Sequence, residues 1–147
     1  IGAYYALRRP VISFNGDGGI QMNIQELQFL ARESLPITVV VLNNQALGMI
    51  RHFQEMYFDN EYYQTVPSGG YSVPDFEKIA GAYGLPYHLV RSCDDLDKSE
   101  LKFDGPQLVE IKIEENTYVF PKLEFGKPNQ DQEPLLDREL YNYLMEL

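Results

Sequence analysis

The chain has 147 residues, which suits one domain that buries most of its apolar surface. Its net charge of -10 argues against nucleic-acid binding, which requires a basic surface. With Cys93 as the only cysteine no internal disulfide can form, and no apolar run is long enough to cross a membrane. We therefore expect a cytoplasmic protein with no nucleic-acid partner and no membrane partner.

The predicted elements alternate between helices and strands. We predict helices at residues 2–8, at 20–31, from about residue 47, at 74–84 and at 94–103. We predict strands at residues 11–15, 36–42, 87–91 and 107–113. The second strand is β-branched and apolar on both faces, as a buried parallel strand should be. This alternation predicts a three-layer α/β/α domain with a mostly parallel sheet.

The composition changes after residue 120. Residues 121–137 are polar and irregular, and residues 138–147 predict a short amphipathic helix. We therefore divide the chain into a domain at residues 1–120 and a C-terminal tail at residues 121–147. The chain does not begin with Met, and residues 1–6 resemble the middle of a helix, so we expect the domain to be N-terminally incomplete.

Polar turns follow the first two predicted strands. Gly16-Asp17-Gly18 follows the first strand, and Asn43-Asn44 ends the second. Consecutive parallel strands joined by a helix end at the same edge of a sheet, and open α/β folds bind ligands at that edge. Three glycines among residues 16–19 permit a sharp turn with positive φ. We therefore expect Asp17 and Asn44 to converge on one point.

The first turn suits a phosphate that binds through a metal ion. The backbone N–H groups and the dipole at the start of the following helix favour an anion. Asp17 would repel a bare phosphate, so a divalent cation between the two is required, and oxygen ligands suit Mg²⁺ or Ca²⁺. The plainer alternative is that Asp17 and Asn44 only bond to their local backbone, as turn residues commonly do.

Two segments carry a resemblance to a known family. Residues 16–27 read Gly-Asp-Gly-Gly-Ile-Gln-Met-Asn-Ile-Gln-Glu-Leu, and residues 42–51 read Leu-Asn-Asn-Gln-Ala-Leu-Gly-Met-Ile-Arg. They resemble the diphosphate-binding signature of thiamin diphosphate (ThDP) enzymes, in the form found in the large catalytic subunit of acetolactate synthase (acetohydroxyacid synthase). Further matches are Pro74-Asp75-Phe76, Ala82-Tyr83-Gly84, Gly105-Pro106 and Val119-Phe120-Pro121. The resemblance covers roughly residues 1–121.

The resemblance implies a set of site residues. Mg²⁺ would be held by the Asp17 carboxylate, the Asn44 side chain and the backbone carbonyl of Ala46. The implied cofactor-binding set is Gly16, Asp17, Gly18, Gly19, Asn44, Ala46, Leu47, Gly48 and Met49. Met49 and Phe53, one helical turn apart, would line the active site. At that spacing they could equally be ordinary core residues.

The resemblance also implies a function. The enzyme would decarboxylate a 2-oxo acid and transfer the remainder to an acceptor, as in branched-chain amino acid biosynthesis. A glycine-rich segment before the matched region would grip the pyrimidine ring of the cofactor. The glutamate that activates this ring would come from the pyrimidine-binding domain of a partner subunit, in a homodimer or tetramer. The chain would then carry half of an active site and be inactive alone. FAD, which many acetolactate synthases bind, would lie in a middle domain outside this chain.

Several alternatives stay open. Acetolactate synthases usually carry Trp at the position of Phe53, so the substrate is open. The domain could belong to another ThDP-dependent 2-oxo acid decarboxylase, or it could be a non-catalytic assembly domain. A Rossmann-type nucleotide-binding module is disfavoured, because Asn43-Asn44 rather than an acid ends the second strand and no Gly-x-Gly-x-x-Gly is present.

Overall fold

The computed structural model describes residues 1–98, 101–120 and 124–147. The strands are β1 (Val11–Gly16), β2 (Ile37–Asn43), β3 (Tyr87–Val90) and β4 (Gln107–Lys112). The helices are α1 (Gly2–Leu7), α2 (Asp17–Gln21), α3 (Glu26–Arg32), α4 (Gly48–Tyr57), α5 (Phe76–Ala82), α6 (Cys93–Lys98) and α7 (Arg138–Met145). A single turn of 3₁₀ helix lies at Pro67–Gly69.

The strands form one parallel sheet in the order β1-β2-β4-β3. The predicted α/β class with a mostly parallel sheet is confirmed. In register, Gly16 of β1 lies beside Leu42 of β2, and Asn43 of β2 lies beside Lys112 of β4. The carboxyl ends of these three strands therefore meet at one edge, where the predicted polar turns lie.

The larger part of the core lies on one face of the sheet. Leu27 of α3 and Phe76 of α5 pack there against Val41 and Leu108, all at most 1% exposed. The opposite face carries a smaller cluster centred on Val40. The inner strand β2 is buried on both faces, as its β-branched and mostly apolar sequence predicts.

The helix predicted at residues 20–31 is in fact two helices. Between α2 and α3 the chain tightens into hydrogen bonds that span three residues, from Asn23 N to Ile20 O (3.2 Å) and from Glu26 N to Asn23 O (3.0 Å). The tighter turn still lets Ile20, Ile24 and Leu27 pack into the same core. The spacing of the apolar residues therefore predicts the buried face correctly, but it does not predict the interruption between α2 and α3.

Helix α4 exposes apolar side chains and buries charged and polar ones. Met49 and Ile50 are 53% and 51% exposed, whereas Arg51 and His52 are buried. Arg51 makes ion pairs with Glu55 (3.1 Å) and Glu115 (3.3 Å). These partners offset the loss of hydration, so the helix holds a charged residue inside and leaves apolar side chains outside.

The charged helix predicted at residues 94–103 is shorter in the structure. It begins at Cys93 and its described part ends at Lys98. Residues 99 and 100 lie outside the described residues, and residues 101–106 are not helical. The sequence Asp104-Gly105-Pro106 favours a turn there, because proline restricts the residue before it to extended backbone.

The chain forms two compact units, Ile1–Thr117 and Tyr118–Leu147. In the second unit Asp137 caps the start of α7, because its carboxylate accepts hydrogen bonds from the backbone N–H groups of Glu139 and Leu140. Arg138 pairs with Asp131 at 2.7 Å. Residues 121–123, where the predicted tail begins, lie outside the described residues, so the boundary after residue 120 stays a prediction.

Candidate cofactor and metal site

The turns that follow β1 and β2 lie against each other. Asp17 is the first residue of α2 and is only 2% exposed. The backbone N–H groups of Gln45 and Ala46, in the second turn, are close enough to favour the charged form of its carboxyl group. The side chain of Leu47 approaches Gly18 so closely that a Cβ there would lie 2.4 Å from Leu47 Cδ2. The structure thus brings the two predicted turns together.

The positive φ that the three glycines would permit does not occur in the first turn. Gly16 has extended backbone, with φ -79° and ψ 163°, and neither Gly18 nor Gly19 has positive φ. The chain passes from β1 directly into α2, so the direction changes without a left-handed residue. A glycine is needed at residue 18 for a different reason, since a Cβ there would also lie 3.1 Å from the Tyr71 hydroxyl. At Gly16 and Gly19 a Cβ would have no neighbour within 4 Å.

Asp17 has one satisfied oxygen and one unsatisfied oxygen. Its Oδ1 accepts a hydrogen bond from the Tyr71 hydroxyl at 3.1 Å. Its Oδ2 is buried and has no hydrogen-bond partner among the residues that the structure describes. Burial raises the pKa of Asp17, and the Tyr71 hydroxyl and nearby backbone N–H groups offset only part of that rise. A buried acceptor of this kind calls for a cation or a donor from a ligand.

The second turn is held by its own amides. Asn43 Oδ1 accepts from Gln45 N at 2.9 Å, and Asn44 Oδ1 accepts from Ala46 N at 3.2 Å. Leu47 N donates to Thr65 O at 2.9 Å. Gln45 has φ 55°, a left-handed conformation that a residue with a side chain rarely adopts. The left-handed residue of the site therefore lies in the second turn.

The donors here suit a hard cation. Asp17 supplies a carboxylate, Asn44 an amide oxygen and Ala46 a backbone carbonyl, which are the oxygen types that Mg²⁺ prefers. Within the described ranges no three His, Cys, Asp or Glu residues could hold a metal ion together. That finding fits the candidate set, which contains a single carboxylate.

Met49 and Phe53 both lie on α4, and their surroundings differ. Phe53 is half-buried and packs against the rings of Tyr57 and Phe58, with centroids 4.8 Å and 5.8 Å away. Phe53 also lines a hollow of about 540 Å³ whose wall includes Ile50. Met49 is half-exposed and does not line that hollow. Phe53 therefore lines this hollow, and Met49 lies outside it.

Tyr71 is a site residue that the sequence did not reveal. It comes from the loop between α4 and α5, 54 residues after Asp17 in the chain. The same loop is tied to α4 by the hydrogen bond from Thr65 Oγ1 to Gln54 Oε1 at 2.5 Å. The loop carries three tyrosines, Tyr62, Tyr63 and Tyr71, and nothing in the sequence singles out the one that contacts Asp17.

A second buried carboxylate lies at the same sheet edge. Glu110 of β4 is 4% exposed. Its Oε1 accepts from Asn43 Nδ2 at 2.5 Å and from Lys112 Nζ at 2.6 Å, and its Oε2 accepts from the Tyr87 hydroxyl. Burial alone would raise the pKa of Glu110, but these three partners together hold it below its ordinary value. Sequence reasoning missed this cluster, because β4 resembled an ordinary buried strand.

A parallel sheet with polar turns at its carboxyl edge is the ligand-binding arrangement of open α/β proteins. The ThDP-dependent 4-hydroxybenzoylformate decarboxylase of Rhodococcus jostii has this fold. The structural match covers 78% of this chain and 22% of the Rhodococcus chain, with a TM-score of 0.65 and 28% sequence identity. The benzoylformate decarboxylase of Polynucleobacter necessarius, at 22% identity and TM-score 0.65, supports the fold alone; the match covers 80% of this chain and 22% of that one.

The family described as thiamine pyrophosphate enzyme, C-terminal TPP binding domain, matches residues 1–111. The chain therefore belongs to this family, and thiamine pyrophosphate is another name for ThDP. Over 137 residues the chain is 34% identical to the acetolactate synthase isozyme 2 large subunit of Escherichia coli, covering 89% of this chain and 24% of that protein. Over 130 residues it is 36% identical to the acetolactate synthase large subunit of Lactococcus lactis, covering 86% and 22%. The chain spans about a quarter of the length of these relatives.

Among the described residues, no helix is both long enough and apolar enough to cross a membrane.

Proposed function

We propose that this chain binds ThDP through its diphosphate and a Mg²⁺ ion, as one domain of an acetolactate synthase-like enzyme. The enzyme would decarboxylate a small 2-oxo acid and join the remainder to an acceptor. The observation that carries the proposal is the buried Oδ2 of Asp17, which has no partner among the described residues and lies at the sheet edge where open α/β folds bind ligands.

The proposed metal ligands are Asp17, Asn44 and Ala46. Asp17 Oδ2 is already desolvated, so binding a cation there satisfies an oxygen that is otherwise costly to bury. Asn44 and Ala46 lie in the turn whose amides face the Asp17 carboxylate. Mg²⁺ commonly binds through one or two carboxylates together with phosphate oxygens, which fits a set with one acid.

The proposed diphosphate contacts are the backbone groups of Gly18, Gly19, Leu47 and Gly48, with Gly16 completing the turn. The position of a Cβ at Gly19 is open, with no atom within 4 Å, so a ligand can approach the backbone there. A Cβ at Gly48 would lie 3.3 Å from Asn44 Nδ2, which favours glycine beside a proposed metal ligand.

These contacts give the cofactor and the chain different roles. When bound, ThDP supplies the nucleophilic carbon and the electron sink that decarboxylation of a 2-oxo acid requires. This chain would hold the diphosphate and the metal, and Met49 and Phe53 on α4 would line the reacting end. The exposure of Met49 and Ile50 supports this role, because these apolar side chains can contact a substrate or another subunit.

The remainder of the active site would come from elsewhere. We propose that the pyrimidine-binding domain of a partner subunit, in a cytoplasmic homodimer or tetramer, completes it. The chain covers about a quarter of its relatives, which supports a division of the site between domains. The isolated chain with pyruvate, ThDP and Mg²⁺ should therefore form no acetolactate and no acetaldehyde, and clear product from it would contradict this part of the proposal.

A simple ThDP-dependent decarboxylase is the second candidate. It is favoured by the structural match to a 4-hydroxybenzoylformate decarboxylase, and by Phe53, which lies among aromatic side chains. The assembled enzyme separates the two candidates. A carboligase consumes its 2-oxo acid faster when an acceptor 2-oxo acid is added and forms a joined product. A decarboxylase releases the aldehyde whether or not an acceptor is present.

The binding half of the proposal can be tested on this chain by calorimetric titration. The proposed metal and backbone contacts are all to the diphosphate, and only Met49 and Phe53 would touch the rest of the cofactor. Mg²⁺ with inorganic diphosphate should therefore bind within roughly tenfold of Mg²⁺ with ThDP, a difference of ~1.4 kcal/mol. Both signals should vanish with EDTA and in Asp17→Asn. The matched control is Asp94→Asn, which makes the same change at an exposed acid and should bind like the wild type. If neither ligand bound the wild-type chain, the proposal would be wrong.

A further inference from the structure

We propose that Glu110 is a positioning residue for the cofactor site, because through Asn43 it fixes the turn that presents Asn44 and Ala46. The identity of the ligand rests on the function proposed above. The role in shaping the turn stands on contacts within the chain.

The first step is the reach of Glu110 across the sheet. In the register of β2 and β4, Val41 lies beside Glu110 and Asn43 lies beside Lys112. The Glu110 carboxylate is therefore next to the end of β2, where Oε1 accepts from Asn43 Nδ2 at 2.5 Å. Lys112 supports the same oxygen, and Tyr87 holds the other one. The carboxylate is thus fixed from three sides in a buried setting.

The second step is the orientation of the Asn43 amide. An ionised carboxylate only accepts hydrogen bonds, so Glu110 requires the NH₂ end of the Asn43 side chain to point at it. This leaves the Oδ1 end to accept from Gln45 N at 2.9 Å. The Asn43 backbone carbonyl accepts from Ile113 N at 3.1 Å, which holds the residue from its other side. Asn43 is 1% exposed, so water does not compete for these groups.

The third step is the strained residue that these contacts hold. The left-handed backbone of Gln45, with φ 55°, is unfavourable for a residue with a side chain and persists only where the surroundings impose it. Its N–H group is bound to Asn43 Oδ1, so the side chain that Glu110 orients also fixes the left-handed residue. Gln45 stands between Asn44 and Ala46, and its conformation sets the relative positions of these two proposed ligands.

The two oxygens of Glu110 have different partners, which allows matched control variants. Tyr87 bonds to Oε2 of Glu110, whereas Asn43 bonds to Oε1. Tyr87→Phe removes one hydrogen bond from the same carboxylate and leaves the Asn43 contact. Glu110→Gln keeps an acceptor for Asn43 and removes the charge. Glu110→Leu keeps much of the volume and removes the acceptor. The three variants separate loss of the acceptor from loss of charge and from general loosening of the cluster.

The test is ¹⁵N relaxation of the backbone amides in the folded chain, with no ligand added. In Glu110→Leu the order parameters of Gln45 and Ala46 should fall from about 0.85 to below about 0.6, while those of Val40 and Val41 in β2 stay near about 0.85. Glu110→Gln and Tyr87→Phe should keep all four amides near the wild-type values. Unchanged values at Gln45 and Ala46 in Glu110→Leu would overturn the proposal, as would an equal fall along β2.

A second variant protects the test if Glu110→Leu does not fold. Asn43→Ala removes the acceptor for Gln45 N from the other end, and it should produce the same local loss of order. Rigid Gln45 and Ala46 amides in Asn43→Ala would overturn the proposal.

The consequence for the site is measured by titrating Mg²⁺ in the presence of inorganic diphosphate. Glu110→Leu should weaken the apparent Mg²⁺ affinity at least roughly tenfold, and Glu110→Gln should restore most of it, since a tenfold change corresponds to ~1.4 kcal/mol. Equal affinities in the wild type and Glu110→Leu would overturn the positioning role. If the wild-type chain bound no Mg²⁺-diphosphate, the proposed function would fail, and the relaxation data would still decide whether Glu110 orders the turn.

Discussion

Two buried carboxylates lie at the same edge of the sheet, and they are treated in opposite ways. Glu110 has hydrogen-bond partners on both oxygens and a pKa held below its ordinary value. Asp17 has a raised pKa, and its Oδ2 has no partner among the residues that the structure describes. Both residues are at most 4% exposed, so burial alone does not explain the difference.

The difference separates an acid that serves the fold, Glu110, from one that we propose binds a ligand, Asp17. A buried carboxylate that is fully hydrogen-bonded can be part of a rigid structure. A buried carboxylate with an unsatisfied oxygen lowers stability unless a cation or a hydrogen-bond donor binds to it. Perturbed acids at a ligand-binding edge are candidates for function for the same reason. Asn43 and the turn that follows it connect the two, since Asn43 contacts Glu110 and the amides of Gln45 and Ala46 face Asp17.

The largest effect on stability should come from Glu110→Leu. The substitution leaves Asn43 Nδ2 and the Tyr87 hydroxyl without their acceptor in a buried site, and Lys112 without its counter-ion. We expect the free energy of unfolding to fall by about 3 kcal/mol, measured by urea denaturation. Glu77→Leu, the same change at an exposed helical position, should change it by less than about 0.5 kcal/mol. Equal losses from the two variants would show that the Glu110 cluster is not structural.

Ionisation of Glu110 and of Asp17 should change the free energy of unfolding in opposite directions as the pH falls. The folded-state pKa of Glu110 is lowered, so its contribution to stability is present above the ordinary carboxyl pKa and is lost as the pH falls through the folded value. Between about pH 7 and about pH 3, the free energy of unfolding of the wild type should therefore fall more steeply than that of Glu110→Gln. Parallel pH curves for the two proteins would contradict the lowered pKa.

Asp17→Asn should change the free energy of unfolding by a smaller amount than Glu110→Leu, and in the opposite direction. Burial raises the pKa of Asp17, so the ionised group weakens the metal-free fold at neutral pH. Asp17→Asn removes this charge and should raise the free energy of unfolding by up to about 1 kcal/mol in EDTA. With Mg²⁺ and ThDP the order should reverse, because only the wild type gains stability from binding. If Asp17→Asn in EDTA lowered the free energy of unfolding as much as Glu110→Leu does, Asp17 would be a structural acid.

The parts of the fold that were predictable from sequence have local causes. The strand β2 is apolar on both faces, and Asp75 caps α5 by accepting from Lys78 N at 3.1 Å, so short windows of sequence contain the signal. The spacing between Asp17 and Asn44 indicated that their turns would share one edge, because two parallel strands joined by a helix impose that geometry.

The parts that were not predictable depend on distant partners. Arg51 is buried in α4 because Glu115, 64 residues later, accepts its hydrogen bonds, and a helical pattern cannot show that. Tyr71 reaches Asp17 across 54 residues, and Glu110 reaches Asn43 across 67. Burial in these cases follows from long-range polar pairing, whereas hydrophobic periodicity reports only what each element would bury by itself.

The smallest expected effect compares two glycines of α2. Alanine is favoured over glycine inside a helix by roughly 0.5–1 kcal/mol, and Gly19 has no atom within 4 Å of the position of a Cβ, so Gly19→Ala should stabilise the metal-free chain by about that amount. At Gly18 the same methyl group would meet Leu47 Cδ2 at 2.4 Å and the Tyr71 hydroxyl at 3.1 Å. Leu47 can rotate away, whereas the Tyr71 hydroxyl would have to shift slightly, which loosens its hydrogen bond to Asp17 Oδ1 at 3.1 Å.

Gly18→Ala should therefore lose the helical gain and leave Asp17 with less support than in the wild type. Thermal unfolding of the two variants in EDTA measures the difference, which we expect to be about 1 kcal/mol in favour of Gly19→Ala. Tyr71→Phe then decides the cause. If the Tyr71 hydroxyl is what Gly18→Ala displaces, the penalty at Gly18 should shrink in a chain that already lacks the hydroxyl. An undiminished penalty would assign it to Leu47 alone, and the support of Asp17 by Tyr71 would not depend on the glycine.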